Sequence, residues 1–449
     1  MSRPLRILLV ATCFPPQPTS ASLRTYAFAR YWGAAGATVD VLTTRKRPDQ
    51  GGFERAAETF RLHEIAYRAP GALEWLRSRH KAGEAKPDAD GPARLGRGAR
   101  FRQRTGVFGD VRMPDLSASW VRPATAWAEA EADARGPWDV VVGSSGPYTV
   151  HFVAERLKRS GRAAAWVADF RDLWVDHPSM TGVFPFTMRE RVLQRRFLRH
   201  VDLVSTVSDG LATVLRRRTS APVEVICNGF EPEDFATLDP APSLPADGLV
   251  RLVYTGTLYP DGQDPRPLFA AIARVRTAQP DVYERLRVTV AGTTAAAWPD
   301  LAARDGVSAC VECRGAVPRP EALRFQRDAA AIIIVDWHRP EDGVLTAKLF
   351  EYLASPAPIL AIGSDATSPI ARILAETGRG HHLGRDVERI AAHLVRLVRA
   401  PQTLRTEPDA EAVRTYTRER QSLRLYDAIR ALTDGDPPDR AQAARPPKP

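Results

Sequence analysis

Long apolar runs are missing from this 449-residue chain. No stretch approaches the ~18 unbroken apolar residues of a membrane-spanning helix. The apolar run near the start, "ILLVA", is short for a secretory signal and reads as a buried strand. A cytoplasmic protein is therefore expected. Cysteine is scarce, with four residues, Cys13, Cys227, Cys310 and Cys313, which excludes a disulfide framework. "CVEC" has CxxC spacing, but no second CxxC or His pair stands near it, so these read as core cysteines rather than zinc ligands. No DxD-type carboxylate cluster stands out to hold a metal, and no G-x-G-x-x-G follows the first strand, which disfavours a dinucleotide-dependent dehydrogenase.

Acidic charge is short in one part only. Residues 1–200 hold 32 Lys/Arg against 20 Asp/Glu, a net of +12, while residues 201–449 hold 31 against 33, a net of −2. The one-sided excess suits an anionic surface such as a phospholipid bilayer, or a phosphorylated acceptor, or an Arg-rich solvated face. Nucleic-acid binding rests on charge alone and is not expected. "RERVLQRRFLRH" (189–200) carries five Arg and one Glu, with Leu193 and Phe197 four apart. It reads as an ordinary half-buried helix or as a basic helix lying on anionic membrane.

What is present is an alternation. "LRILLVAT", "TVDVLTT", "WDVVVGSS", "AAAWVADF", "VDLVSTVS" and "VEVICNG" read as strands with helix-like stretches between them. Continuous apolar strands separated by helices mean βα units and parallel sheets covered on both faces. The Pro-rich 239–248 stretch reads as a boundary, after which a second βα series runs from "LVRLVYTGTL". The expected layout is an N-terminal domain over 1–240, with an exposed basic loop at 76–107, and a C-terminal domain over 249–405. A helix over 406–433 follows, then a disordered tail over 434–449. Two such α/β domains would face across a cleft that binds a small ligand at the carboxyl ends of the strands.

One helix-like run, "GVLTAKLFEYLAS", carries a single cation, Lys348, and a single carboxylate, Glu351, three residues apart and so on one face. A nucleoside diphosphate asks for such a pair: a cation and helix N-terminal N–H groups for the phosphates, a carboxylate for the ribose diol. The bland reading is a surface ion pair.

Taken in order, "RILLVATCFPPQPTSASLRTYAFARYWGAAGATVDVLTT", "MPDLSASW", "WVADFRDLW", "VDLVSTVSDGLATVL", "VEVICNGFEPEDF", "YTGTLYP" and "KLFEYLAS" resemble the GT-B glycosyltransferases, in particular the retaining family 4-like group. The resemblance spans nearly the whole chain. It implies two Rossmann-like, doubly wound domains, with the nucleotide-sugar in the C-terminal one and the acceptor in the N-terminal one. It implies that the last helix returns to the N-terminal domain. It gives donor roles to Gly256, Thr257, Thr346, Lys348 and Glu351, with Arg266 as a second cation and Arg314, Gly315 and Val317 near the base. Ser20, Ala21 and Arg24 stand at its N-domain donor loop, and Arg171, Asp172 and His151 at its acceptor side. No metal or other cofactor is implied. Many relatives carry a further Glu at the position held here by Gly343, and Thr257 onward lacks their usual Lys. Two readings besides transfer stay open: a nucleotide-sugar-binding protein without catalysis, and a nucleotide-sugar epimerase.

Overall fold

The computed structural model describes residues 3–46, 59–67, 100–101, 104–107, 109, 111–113, 115, 117–177, 180–260, 262–337 and 344–434. The chain divides into two units, 1–226 with 422–449, and 227–421. The division falls at Ile226 and Cys227, ahead of the Pro-rich stretch expected to mark it. That stretch adds Leu244 to a small apolar cluster with Val253 and Phe325 in the second unit.

In the first unit, among the described residues, the strands are β1 (Arg6–Val10), β2 (Thr38–Thr44), β3 (Arg61–Ile65), β4 (Trp138–Ser144), β5 (Ala163–Phe170), β6 (Leu203–Thr206) and β7 (Val223–Val225). They form one parallel sheet in the order β3-β2-β1-β4-β5-β6-β7. The order reverses between β1 and β4, so the loops leaving these strands diverge there and leave room for a ligand. Strand β1 is buried at every residue, as its unbroken apolar run demands. Strand β3, "RLHEI", is half-buried and was not legible as a strand. It is an edge strand held by charge: Arg61 and His63 reach the fully buried Asp40 of β2.

Helices cover both faces: α1 (Ser20–Ala34), α2 (Val121–Arg135), α3 (Val150–Arg159), α4 (Phe186–His200) and α5 (Asp209–Arg216). On one face Trp120, Trp166, Trp174 and Phe197 pack with α2, α3 and α4. On the other, α1 packs Phe28 and Trp32 with Ile7, Leu9 and Val41. At the end of the chain, helix α11 (Arg418–Asp434) adds Leu425, Tyr426 and Ile429 to that second core. The Trp32 indole donates to the Ser422 carbonyl at 2.8 Å.

The second unit repeats the plan. Strands β8 (Val250–Thr255), β9 (Leu286–Ala291), β10 (Val311–Gly315), β11 (Ala331–Val335), β12 (Ile359–Ile362) and β13 (Gly380–Gly384) pair in parallel in the order β10-β9-β8-β11-β12-β13. The helices named below are α6 (Arg266–Ala278), α7 (Trp298–Ala303), α8 (Arg319–Asp328), α9 (Ala347–Ala354) and α10 (Val387–Arg399). The reversal lies between β8 and β11. Among the described residues, no helix is long and apolar enough to cross a membrane.

Two expectations change. The part of the 76–107 loop that is described ends inside the protein, since Thr105 and Val107 are buried. The rest of that loop, all but Asp434 of the 434–449 tail, and Gly343 lie outside the described residues. Cys313 is exposed and its thiol donates to the Ala295 carbonyl, so it is not a core cysteine, whereas Cys227 and Cys310 are buried.

One buried ion pair knits the first unit. Asp169, at the end of β5, is fully buried and accepts from Arg24 Nε at 3.1 Å and Nη2 at 2.8 Å. The hydroxyls of Ser144 and Ser205 donate to the same carboxylate at 2.7 and 2.8 Å. Arg24 also donates to the Ile226 carbonyl at 2.8 Å. Burial raises the Asp169 pKa, but Arg24 and the two hydroxyls outweigh it and hold the carboxyl below its ordinary value. Removing one partner leaves an unpaired buried charge. Arg24→Met should cost about 3–5 kcal/mol, read as a lower urea midpoint. An unchanged midpoint would show that the pair contributes nothing net.

Candidate active site

In the second unit, strand ends supply the site. Gly256 follows β8 with φ +99°, and Gly292 follows β9 with φ +153°. A Cβ on Gly292 would lie 2.1 Å from the Gly256 carbonyl oxygen, so these two loops stack backbone on backbone only because residue 292 is glycine. Gly256 N–H donates to Ala291 O at 2.7 Å and Gly292 N–H to Gly315 O at 2.7 Å. Both N–H groups are therefore used within the sheet edge. Gly256 supplies room for a phosphate here rather than a donor.

Helix α9 brings the cation. Lys348 Nζ donates to Tyr254 Oη at 2.6 Å and to the Thr257 carbonyl at 2.8 Å, and lies 4.3 Å from the Tyr254 ring centre. A Cβ on Gly256 would lie 3.5 Å from Lys348 Nζ. Loss of water around the ammonium pulls its pKa down to about 7, against the opposing field of Glu351. Thr346 caps the same helix, and its buried Oγ1 has no hydrogen-bond partner among the described residues. A hydroxyl, a helix N-terminus and an ammonium within one turn make a site for an anion.

Glu351, one turn on, accepts from Arg319 Nη2 at 3.0 Å and from Gln326 Nε2 at 2.8 Å. Two donors leave about half of a carboxylate's acceptor sites open. Burial pulls the Arg319 pKa down, but hydrogen bonding to Asp234 and the field of Glu351 push it above its ordinary value. Tyr352, next on the helix, has its hydroxyl at 3.1 Å from both the N–H and the carbonyl of Thr255. Helix α9 is thus clamped to the end of β8 by Lys348 and Tyr352 and to α8 by Glu351.

Around this centre the other expected residues spread. Thr257 Oγ1 pairs with Thr293 Oγ1 at 3.0 Å. Gly315 ends β10 with φ +66°, and nothing would meet a Cβ there. Arg314 is exposed and lies 3.5 Å from Glu312, and Val317 is half-buried. Arg266 is elsewhere. It is held by Asp264 at 2.7 Å and lines a cavity of about 510 Å³ with Leu258, Arg304 and Arg385, whose walls include neither Lys348 nor Glu351. In this cavity Arg266 stands apart from Lys348 and Glu351. Tyr254, Gln326 and Arg319 were missed because their partners lie 94, 25 and 32 residues away along the chain.

In the first unit, Arg171 and Asp172 stand at the carboxyl edge after β5. Arg171 Nε donates to Ser145 O at 2.7 Å and Nη2 to Gly146 O at 3.2 Å. Gly146 has φ +95°, and a Cβ there would strike that guanidinium. Asp172 is exposed, and its carbonyl accepts from Tyr148 Oη at 2.7 Å. Lys46, which the sequence reading passed over, sits at the same edge. It donates to Thr12 O at 2.5 Å and to the hydroxyls of Thr43 and Thr44, with burial drawing its pKa down to about 8. Ser20 is exposed at the first turn of α1, behind the Thr19 cap, and Ala21 is buried.

Two residues leave the candidate set. Arg24 is committed to Asp169 and faces no ligand. His151 is fully buried among Phe170, Trp166, Phe197 and Tyr148 rather than pointing into open space. Neither of its ring nitrogens has a partner among the described residues, and burial drives its pKa down to about 3.

Comparison with known proteins bears on what this arrangement is. Residues 21–229 match the glycosyl transferase 4-like domain. The match covers a little under half of the chain. The two parallel-sheet units have the GT-B fold of glycosyltransferases. By structure it is similar to sucrose-phosphate synthase from Thermosynechococcus elongatus, at 14% identity and a TM-score of 0.62, over 96% of this chain and 100% of that one. The α,α-trehalose 6-phosphate synthase of Burkholderia multivorans matches at 14% identity and a TM-score of 0.57, over 97% and 99%. Anabaena HepE, solved in complex with UDP-glucose, matches at 12% identity and a TM-score of 0.59, over 95% and 100%. These identities carry the fold alone. No curated protein matches by sequence.

Since His151 touches nothing that a substrate could reach, His151→Leu should leave sugar transfer unchanged. It should also raise the melting temperature, because it removes two unpaired buried polar atoms. Loss of transfer in a folded variant would return His151 to the site.

Proposed function

We propose that this glycosyltransferase takes a nucleoside-diphosphate sugar in its C-terminal unit and passes the sugar, with retention, to an acceptor bound by the N-terminal unit. The acceptor belongs to glycan, cell-envelope or natural-product glycoside synthesis. The observation that carries the reading is the spacing on α9. Lys348 lies at the end of β8 beside Gly256, and Glu351 lies one turn further with half its acceptor sites open. The diphosphate takes Lys348, Thr346 Oγ1 and the α9 N-terminus, and the ribose diol takes Glu351. The same groups then stabilise the charge that grows on the departing diphosphate. In this reading no metal is needed, because an ammonium and a helix dipole meet that charge. The UDP-glucose bound in Anabaena HepE supports a nucleotide-sugar as the ligand class. On the N-terminal side Arg171, Asp172 and Lys46 line the acceptor edge. We place the reaction in the cytoplasm, at an anionic membrane surface.

The sign of the pH effect follows from Lys348. Its pKa of about 7 in the free protein is raised by a bound diphosphate, so binding takes up a proton above pH 7. Affinity should be flat below pH 7 and fall as pH rises through it. Calorimetry in buffers of different ionisation heat checks this, using whichever nucleotide-sugar gives the largest thermal shift. Lys348→Met should weaken binding about ten- to a hundredfold at pH 6 and abolish the proton uptake. Glu351→Gln should weaken it about tenfold with the pH profile kept. A Lys348→Met protein with wild-type affinity and proton uptake would remove the diphosphate assignment. Donor alone, without acceptor, should give no interconverted sugar. Interconversion would mean an epimerase.

A further inference from the structure

Among the described residues, six large apolar side chains stand well exposed: Phe101, Phe184, Phe186, Met188, Val192 and Tyr259. Four of the six fall within 184–192, at the start of α4 and the turn before it. A fifth comes to the same place through the backbone. Thr181 N–H donates to Arg104 O at 3.2 Å and Gly182 N–H to Thr105 O at 3.1 Å, and Thr105 Oγ1 in turn donates to Phe101 O at 2.8 Å. Phe184 is 76% exposed and Met188 62%. A water-facing cluster of this kind is uncommon on a monomer and marks a contact surface.

The charges around it have one sign. Helix α4 buries Glu190, Leu193, Gln194, Phe197 and Leu198 and turns Arg189, Arg191, Arg195 and Arg199 outward. None of these four arginines has an ion pair or hydrogen bond from its side chain among the described residues. The single acid of the helix, Glu190, is withdrawn from the face. It is 0% exposed and accepts from Arg112 at 2.9 Å and from Met113 N–H at 2.6 Å. The face therefore combines a bulky apolar tip, a row of unpaired guanidinium groups and no exposed carboxylate. Arg196 of the same helix pairs with Glu155, and beyond the helix Arg156 pairs with Glu129 and Arg162 with Asp133.

We propose that this face docks on an anionic lipid bilayer, with Phe184, Phe186, Met188 and Val192 entering the headgroup layer and Arg189, Arg191, Arg195 and Arg199 meeting lipid phosphates. Apolar side chains beside basic ones on one helix face fit the bilayer interface, where burial and attraction to anionic headgroups act together. A second copy of the chain fits less well, because a two-fold contact through this face sets arginines against arginines. The inference deepens the membrane location proposed above and does not depend on the donor chemistry.

The test uses the full chain and vesicle flotation. Vesicles of phosphatidylcholine alone are compared with vesicles of two parts phosphatidylcholine to one part phosphatidylglycerol. The wild type should partition onto the anionic vesicles about tenfold more than onto the neutral ones, and less so in high salt. The variants Phe184→Ser/Met188→Ser/Val192→Ser and Arg189→Glu/Arg191→Glu/Arg195→Glu should each lose most of that binding. All six positions are exposed, so both variants should keep the wild-type melting temperature and its shift by the nucleotide-sugar. Equal binding to both vesicle types, or unaltered binding by either folded variant, overturns the proposal. So does a wild-type dimer in light scattering that the apolar variant converts to monomer, since the face is then a contact between copies. A folded protein that floats as expected yet shows no nucleotide-sugar shift overturns the donor reading and leaves the docking face standing.

Discussion

The C-terminal unit depends on one ammonium placed where water is scarce. Lys348 reaches from the first turn of α9 to the phenol of Tyr254 and the carbonyl of Thr257, at the end of a central strand. It satisfies two acceptors that would otherwise face inward, and it fastens the helix to the sheet edge. The cost is desolvation, visible as the pKa drawn down to about 7. A diphosphate arriving at Gly256 would offset that cost by bringing two negative charges against the same ammonium. The arrangement is therefore strained in charge but not in geometry, and an anion relieves it. Glu351 is the complement. Arg319 and Gln326 hold it in place while it keeps acceptor sites open, and Asp234 shares Arg319, so the carboxylate cannot swing away without breaking a three-residue chain.

The N-terminal unit solves a similar problem without a ligand. Asp169 ends β5 in the middle of its sheet, where an acid is costly, and the site is closed by Arg24, Ser144 and Ser205. Because the pair is complete, it presents nothing to a substrate. The edge groups with capacity left over are the next residues along, Arg171 and Asp172, and the neighbouring Lys46. This division puts a sealed pair under the edge and polar groups upon it within one short segment, "ADFRD".

The sheets were legible in the sequence where strands are central and mostly apolar: β1, β4, β5, β8 and β11 need no partner to be read. Two edge strands were not. β3 is "RLHEI" and β13 is "GHHLG", and their polar side chains meet groups on other elements, Arg61 and His63 on Asp40 and His381 on His393. Site residues divide by the same rule. Lys348 and Glu351 were legible because both ends of the argument lie on one helix turn. Arg24 was not legible as a buried residue, because a sequence does not show whether a polar side chain already has a partner. Asp169 lies 145 residues from Arg24. His151 shows the converse, since a helix face with room for aromatic neighbours accepts an imidazole as one more ring.

The net charge of the first 200 residues was a weak signal for the same reason. A sum counts Arg24, Arg112 and Arg6 equally with Arg189 and Arg191. Arg112 is spent inside the protein on Glu190, and Arg24 on Asp169. Arg6 donates to the Arg135 carbonyl and stands over the Trp138 ring. Each of these removes a positive charge from the surface without changing the total. What remains is concentrated, and α4 keeps its arginines outward while its one acid is turned in. Glu190 serves two ends in that position. It neutralises Arg112, which binds the Val175 carbonyl and so steadies the chain leading into the turn, and it leaves the outer face of α4 with charge of a single sign. Where an acid is placed decides the character of this surface as much as how many arginines it carries.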